Sequence, residues 1–96
     1  MTTYIYVIGT QGNLQKIGYA ADPSKRLAQL QTGNPERLYL HYKILVPDTR
    51  ARLVEQRIHK EINYKRTMGE WFKLSPKEAI DLLNYAVIRW VDDQLL

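Results

Sequence analysis

Two short runs, Tyr-Ile-Tyr-Val-Ile at 4–8 and Leu-Gln-Lys-Ile-Gly at 14–18, open the chain on either side of a polar break that contains Gly9 and Gly12. This pattern predicts a β-hairpin. We expect a three-residue loop at 10–12 with Gly12 in the left-handed conformation, which pairs Tyr6 with Lys16. Because side chains alternate between the faces of a strand, a register shifted by one residue would separate these two side chains. The face predicted by this register holds Tyr4, Tyr6, Ile8, Leu14, Lys16 and Gly18.

The predicted pairing of Tyr6 with Lys16 has two interpretations. In the first, it is an ordinary cross-strand pair, in which the lysine stem covers the ring and the ammonium lies in water. In the second, the ammonium lowers the cost of forming a phenolate, so that Tyr6 can act as a base. The hairpin by itself leaves both interpretations open.

Helical spacing of apolar residues predicts two helices in the middle of the chain. Asp22 is placed to cap the first, over 23–31, and a glycine two residues beyond its end stops it. The second helix covers 49–63 and follows a Pro-Asp pair that ends the preceding strand and caps the helix. Its apolar stripe consists of Ala51, Val54, Ile58 and Ile62. Glu55 lies at the border of that stripe, and His59 follows one turn later.

A third strand is predicted over 38–46, between the two helices. One of its faces is expected to hold Leu38, Leu40, Tyr42 and Ile44. Residues 64–69 predict a basic loop, and 70–74 a short extended piece. The order of elements favours an α+β fold in a single domain over 1–96, with a small three-stranded antiparallel sheet flanked by helices.

A long C-terminal helix is expected from the capping box formed by Ser75 and Glu78 to about residue 94. Its inward stripe is predicted to be Ile80, Leu83, Val87, Trp90 and Val91. Three further apolar residues, Leu82, Tyr85 and Ile88, fall outside the stripe. They are either scattered surface residues or a self-association patch, in which case a homodimer forms through this helix.

Composition and charge narrow the class of protein. The chain has 96 residues, 45% apolar and 25% charged, which is typical of a soluble globular domain. It has no cysteine, no secretory signal pattern and no membrane-spanning apolar run, so we expect a cytoplasmic, intracellular protein without a membrane partner. Residues 1–66 contain eleven Lys and Arg against five Asp and Glu, whereas 67–96 contain three against five. The basic first two-thirds suits a polyanionic partner, although a generic charged surface would look the same.

Five short motifs follow one another in order along residues 4–83. They are Tyr-Ile-Tyr at 4–6, Lys-Ile-Gly at 16–18, Asp-Pro at 22–23 with Arg26 in the next helix, Glu55 with His59, and Gly-Glu-Trp-Phe at 69–72. In this order the chain resembles the GIY-YIG nuclease superfamily. The Lys-Ile-Gly and Gly-Glu-Trp-Phe motifs, with Gln-Thr-Gly-Asn-Pro at 31–35, are similar to a branch found in phage and in meiotically up-regulated proteins.

The resemblance implies metal-dependent hydrolysis of a phosphodiester bond. It places a general base or water-orienting group at Tyr6, with Lys16 standing where the family's second motif has tyrosine. It implies that Arg26 holds the scissile phosphate and that Glu55 binds Mg²⁺ or Mn²⁺. His59 is counted with the catalytic residues, and the role of Glu70 stays open.

The chain departs from the family pattern at two points. Tyr4 replaces the first glycine of the family, at a position that only has to fit a strand. The additional histidine and asparagine of some relatives have no match. A second hypothesis is therefore a binding module of the same fold that lacks turnover. Another is a transition-metal site formed by Glu55 and His59 at i,i+4 spacing, for which the sequence offers no evident third ligand.

Nucleic acid is the expected partner, with DNA favoured over RNA. Phosphate contacts without sequence specificity are predicted for Arg57, Lys60, Lys65 and Arg66.

Overall fold

The computed structural model describes residues 2–91. The strands are β1 (Thr3–Gly9), β2 (Gln15–Ala20), β3 (Tyr39–Val46), β4 (Arg66–Met68) and β5 (Trp71–Phe72). The helices are α1 (Pro23–Gln31), α2 (Asp48–Glu61) and α3 (Pro76–Ala86). A 3₁₀ turn, Asn63–Lys65, precedes β4, and a π-helical segment, Val87–Val91, continues α3.

The described residues form one antiparallel sheet of five strands in the order β3-β1-β2-β5-β4. The prediction of three strands was wrong because residues 66–72 add two more. Gly69, at a φ of +55°, reverses the chain between β4 and β5. Strands of three and two residues are too short to show an alternating pattern in the sequence.

The β1–β2 hairpin has a longer loop than predicted. Tyr6 is paired with Gly18, and Gly9 with Gln15, so that the loop contains the five residues 10–14. The Gln15 side chain stabilises this loop by donating hydrogen bonds to the carbonyl oxygens of Thr10 and Gly12, at 3.0 and 3.1 Å. Gly12 does not have the predicted positive φ. The pairing moves by two residues, and an even shift keeps every side chain on its face.

Strand β3 is irregular in a way that its sequence pattern does not reveal. Val7 is opposite Tyr42, but Ile8 is opposite Leu40, so His41 is an extra residue in a β-bulge. The bulge reverses the alternation. Tyr42 and Ile44 therefore pack on one side of the sheet, whereas Leu40 packs on the other, and the prediction of one shared face was wrong.

Two apolar clusters cover the two sides of the sheet. The larger contains Ile5, Val7 and Ile17 with the buried faces of α2 and α3. The smaller contains Tyr6, Ile8 and Leu38 of the other side, packed against α1 and Trp71. The sheet is thus the middle of three layers.

The helices largely follow their local signals. Helix α1 has the predicted bounds, and the Asp22 side chain accepts the N–H of Lys25 at 3.1 Å. Helix α2 buries the whole predicted stripe, but it begins at Asp48, which accepts a hydrogen bond from Thr3 and does not cap the helix. None of the described helices has both the length and the apolar content to cross a bilayer.

Helix α3 begins with the predicted capping box at Ser75. Its inward face differs from the prediction because Ala79 and Ala86 are buried and Leu82 packs against the larger cluster. Tyr85 and Ile88 remain exposed. The predicted inward positions of Trp90 and Val91, and the end of the helix near residue 94, lie outside the side chains and residues that are described.

Candidate functional site

The candidate site lies at the edge of β2. The neighbouring strand β5 is short, so part of this edge has no strand beside it. Strand β5 pairs only with Gln15 and Lys16. Beyond these residues, side chains of α2 take the place of a strand. His59 Nε2 lies 2.7 Å from the carbonyl oxygen of Ile17, and Glu55 accepts a backbone hydrogen bond from Tyr19. The two polar side chains of α2 thereby satisfy a sheet edge that would otherwise be unpaired.

This contact determines the tautomer of His59. A carbonyl oxygen can only accept, so Nε2 carries the proton and Nδ1 has a free lone pair. Burial lowers the pKa of His59, against the opposing effect of its hydrogen bond to Ile17. The ring is therefore neutral at pH 7, with Nδ1 3.9 Å from Glu55 Oε1.

Glu70 joins Glu55 and His59 from the turn between β4 and β5. One ligand atom from each of the three residues lies within 4.8 Å of the other two. Burial raises the pKa of Glu55 to about 7, and the neighbouring charge of Glu70 acts in the same direction. Burial therefore disfavours the charged form of Glu55, and a cation bound at this carboxylate would favour that form.

Tyr6 and Arg26 form the second part of the site. Arg26 Nη1 donates to the Tyr6 hydroxyl oxygen at 3.3 Å. The Tyr6 side chain is completely buried and lies against Gly18, where an added Cβ would be 2.4 Å from the hydroxyl oxygen. Burial raises the pKa of Tyr6 more than Arg26 lowers it. The Tyr6 hydroxyl is therefore a hydrogen-bonding group in this structure, and its action as a base stays a prediction.

Lys16 links the two parts of the site. It lies on the same side of the sheet as Tyr6, as predicted, but its ammonium forms an ion pair with Glu70, with Nζ 2.6 Å from Oε1. The charge of Lys16 also lowers the pKa of Glu55, and the charges of Glu70 and Glu55 raise that of Tyr6. These couplings place the groups from β1, β2, α1, α2 and the β4–β5 turn within electrostatic range of one another.

The structure thus brings together the five predicted residues Tyr6, Lys16, Arg26, Glu55 and His59. Of the four predicted phosphate-binding residues, Arg66 borders this cluster, since its charge lowers the pKa of His59. Arg57 and Lys60 line a surface depression with Glu61, on roughly the opposite side of α2 from Glu55 at about 100° per residue. Arg66 donates to Asn63 and to the carbonyl oxygen of Gly69, and lies over the ring of Phe72. Lys65 lies over Tyr64.

Two residues at the site, Glu70 and Gly18, have no role assigned from the sequence. Glu70 belongs to a motif found in the sequence, but its contact with Lys16, 54 residues away along the chain, is revealed only by the tertiary structure. Gly18 makes room for the Tyr6 hydroxyl, which the corrected register explains. Arg52 is an exposed cation on the stripe of α2 that also holds Glu55 and His59, at spacings of three and seven residues.

Fold and site together are those of a small α+β domain with a polar cluster at an open sheet edge. Comparison with protein-family models matches residues 3–91 to the T5orf172 domain, and the chain belongs to this family. The T5orf172 domain is related to the GIY-YIG nuclease fold. Neither the curated proteins nor the solved structures include a significant match to the chain.

Proposed function

We propose that this protein is a metal-dependent endonuclease that hydrolyses phosphodiester bonds in DNA. The observation that carries the proposal is the convergence of a phenol, a guanidinium, two carboxylates and an imidazole at the edge of β2. Lys-Ile-Gly at 16–18 and Gly-Glu-Trp-Phe at 69–72 support an assignment to the branch of phage and meiotically up-regulated proteins.

The residues present fit a divalent metal ion. Glu55, His59 and Glu70 offer two carboxylates and one imidazole with ligand atoms within 4.8 Å of one another, and these are donor types that divalent metal ions use in proteins. The hydrogen bond of His59 to Ile17 leaves Nδ1 as the coordinating nitrogen and orients the ring, as partners of ligand histidines do. Two carboxylates and one imidazole suit Mn²⁺ better than Mg²⁺, which prefers oxygen ligands.

The protein's own groups have separable parts in the hydrolysis. Attack of a water oxygen on phosphorus breaks one P–O ester bond, and the products are a phosphate monoester and a free hydroxyl. Arg26 has further N–H donors for the phosphate oxygens besides the one directed at Tyr6. Tyr6 stays protonated and donates a hydrogen bond to a phosphate oxygen or to the attacking water. Glu55, His59 and Glu70 would hold the metal ion, which would supply Lewis-acid polarisation of the phosphate and a lowered pKa of water.

Binding of the polyanion follows from the position of the cations. Arg52 and Arg26 lie on two elements that border the site, and both carry the guanidinium that best matches phosphate geometry. Farther along the same basic part of the chain are four exposed or half-buried cations, Arg57, Lys60, Lys65 and Arg66. We propose that the first two contact DNA near the scissile bond and that the other four add contacts without sequence specificity.

The proposal is tested with single- and double-stranded DNA and with RNA of the same sequence, in Mn²⁺, Mg²⁺ or EDTA. We expect DNA cleavage with metal and none in EDTA. Glu55→Gln should abolish it, whereas Glu61→Gln, an exposed substitution on the same helix, should not. Cleavage by Glu55→Gln at the rate of the unaltered protein would contradict the assignment of the site.

A nucleic-acid-binding module without turnover is the second candidate. The complete burial of Tyr6, with its raised pKa, favours this alternative because substrate must displace neighbouring groups to reach the hydroxyl. It predicts salt-dependent binding in EDTA, equal affinities of the unaltered protein and Glu55→Gln, and no product with any metal.

A further inference from the structure

The ion pair between Lys16 and Glu70 crosses the candidate metal site. Lys16 Nζ lies 2.6 Å from Glu70 Oε1, and only 12% of the lysine side chain is exposed, against 41% for the glutamate. The backbone also ties the two segments together, because Ile17 N–H donates to the carbonyl oxygen of Glu70 at 3.4 Å. Glu70 is therefore held beside β2, within reach of Glu55 and His59.

The carboxylate of Glu70 is thus shared between the Lys16 ammonium and the candidate metal site. The carboxylate of Glu70 is a member of the three-residue cluster whose ligand atoms lie within 4.8 Å of one another. The ammonium of Lys16 is already in hydrogen-bonding contact with it. A divalent ion on the cluster would lie a few ångströms from this ammonium, and like charges at that separation in a half-buried site repel each other strongly.

We propose that Lys16 is an internal counter-cation that competes with the divalent metal for Glu70. This inference rests on the proposed metal-dependent function and adds an exchange to it. The ammonium balances Glu70 when metal is absent, and metal binding releases it. Lys16 is on the same side of the sheet as Tyr6, so the released ammonium faces the phosphate that Arg26 holds. Because coupling is reciprocal, a phosphate that binds the freed ammonium in turn strengthens metal binding.

Metal affinity of the purified full chain tests the competition directly, without reference to cleavage. Free Mn²⁺ is measured by electron paramagnetic resonance during titration of the unaltered protein, Lys16→Met, Glu70→Gln and Lys77→Met. Lys77 is the matched control, since it forms an exposed pair with Asp81 at a similar distance, 2.7 Å. We expect Lys16→Met to bind Mn²⁺ about fivefold more tightly, a change that corresponds to about 1 kcal/mol, the upper end for exposed ion pairs. Glu70→Gln should bind more weakly, and Lys77→Met should be unchanged.

A second measurement needs no substitution in the site. In the ¹⁵N spectrum of lysine ammonium groups recorded in EDTA, the Lys16 signal should be protected from exchange with water. Mg²⁺ should shift this signal and remove its protection. The Lys77 signal should not respond. Assignment of the Lys16 signal uses the spectrum of Lys16→Met, or a conservative Lys16→Arg protein if the first does not fold.

The outcomes separate this inference from the proposed function. Equal or weaker Mn²⁺ binding by Lys16→Met, or a Lys16 signal unchanged by Mg²⁺, overturns the competition while leaving a metal-dependent nuclease intact. Equal binding by Glu70→Gln overturns it too, because the metal would then not use the shared carboxylate. Absence of Mn²⁺ binding by the unaltered protein overturns both.

Discussion

Replacing Glu55 by glutamine should stabilise the protein at high pH and leave its stability unchanged at low pH. The pKa of Glu55 is raised to about 7 from an ordinary 4.5, chiefly by burial and next by the charge of Glu70. An unfolded chain loses this proton near pH 4.5, whereas the folded protein keeps it until about pH 7. Between these values the folded state binds more protons, so its stability falls as pH rises. Above pH 7 the folded protein carries the full cost of the buried charge.

The magnitude follows from the size of the pKa difference. A difference of about 2.5 pH units at 1.36 kcal/mol per unit corresponds to about 3 kcal/mol. Glu55 is only 7% exposed, so solvent screening reduces this value little. Glutamine keeps an oxygen that can accept the N–H of Tyr19 but never ionises. We therefore expect Glu55→Gln to exceed the unaltered protein by about 3 kcal/mol at pH 8 and by close to zero at pH 4.

Urea unfolding at pH 4, 6 and 8 measures this difference, with EDTA present so that metal binding does not contribute. The other acidic groups titrate in both proteins and cancel in the comparison. Glu61→Gln, an exposed change on the same helix, should give a difference near zero at every pH. The reasoning is refuted if the gain of Glu55→Gln is the same at pH 4 and pH 8, or if the substitution destabilises the protein at pH 8.

Three further predictions concern the rest of the site. Gly18→Ala places a Cβ 2.4 Å from the Tyr6 hydroxyl oxygen and should lower the free energy of unfolding in urea by about 1–3 kcal/mol. Gly12→Ala is the control, because the atom nearest to its added Cβ is 3.6 Å away. Equal losses of stability in the two variants would contradict the steric explanation. Tyr6→Phe should keep the circular dichroism spectrum but slow single-turnover DNA cleavage about 100-fold or more, and an undiminished rate would exclude a role for the hydroxyl. Arg52→Gln should weaken DNA binding and reduce the salt slope by about 1, and a larger effect of Arg57→Gln would instead place DNA on the far side of α2.

The sequence alone determined the features that depend on residues close together in the chain. Helix α1 begins and ends where Asp22, Pro23 and Gly33 predict, because caps act on backbone groups within one turn. The apolar stripe of α2 is buried as its periodicity predicts. Tyr6 and Lys16 share a side of the sheet in spite of the wrong loop length, since strand alternation has a period of two and the register error was also two.

Tertiary structure alone decided the features that depend on residues far apart in the chain. The bulge at His41 follows from matching β3 to β1, and the pairs formed by β4 and β5 involve too few residues to leave a pattern. Glu70 gains its place beside Glu55 only because a two-residue strand positions the preceding turn against β2. Periodicity and capping depend on interactions within a single segment. The electrostatic environment of Glu55 instead depends on burial and charges that several segments contribute at once.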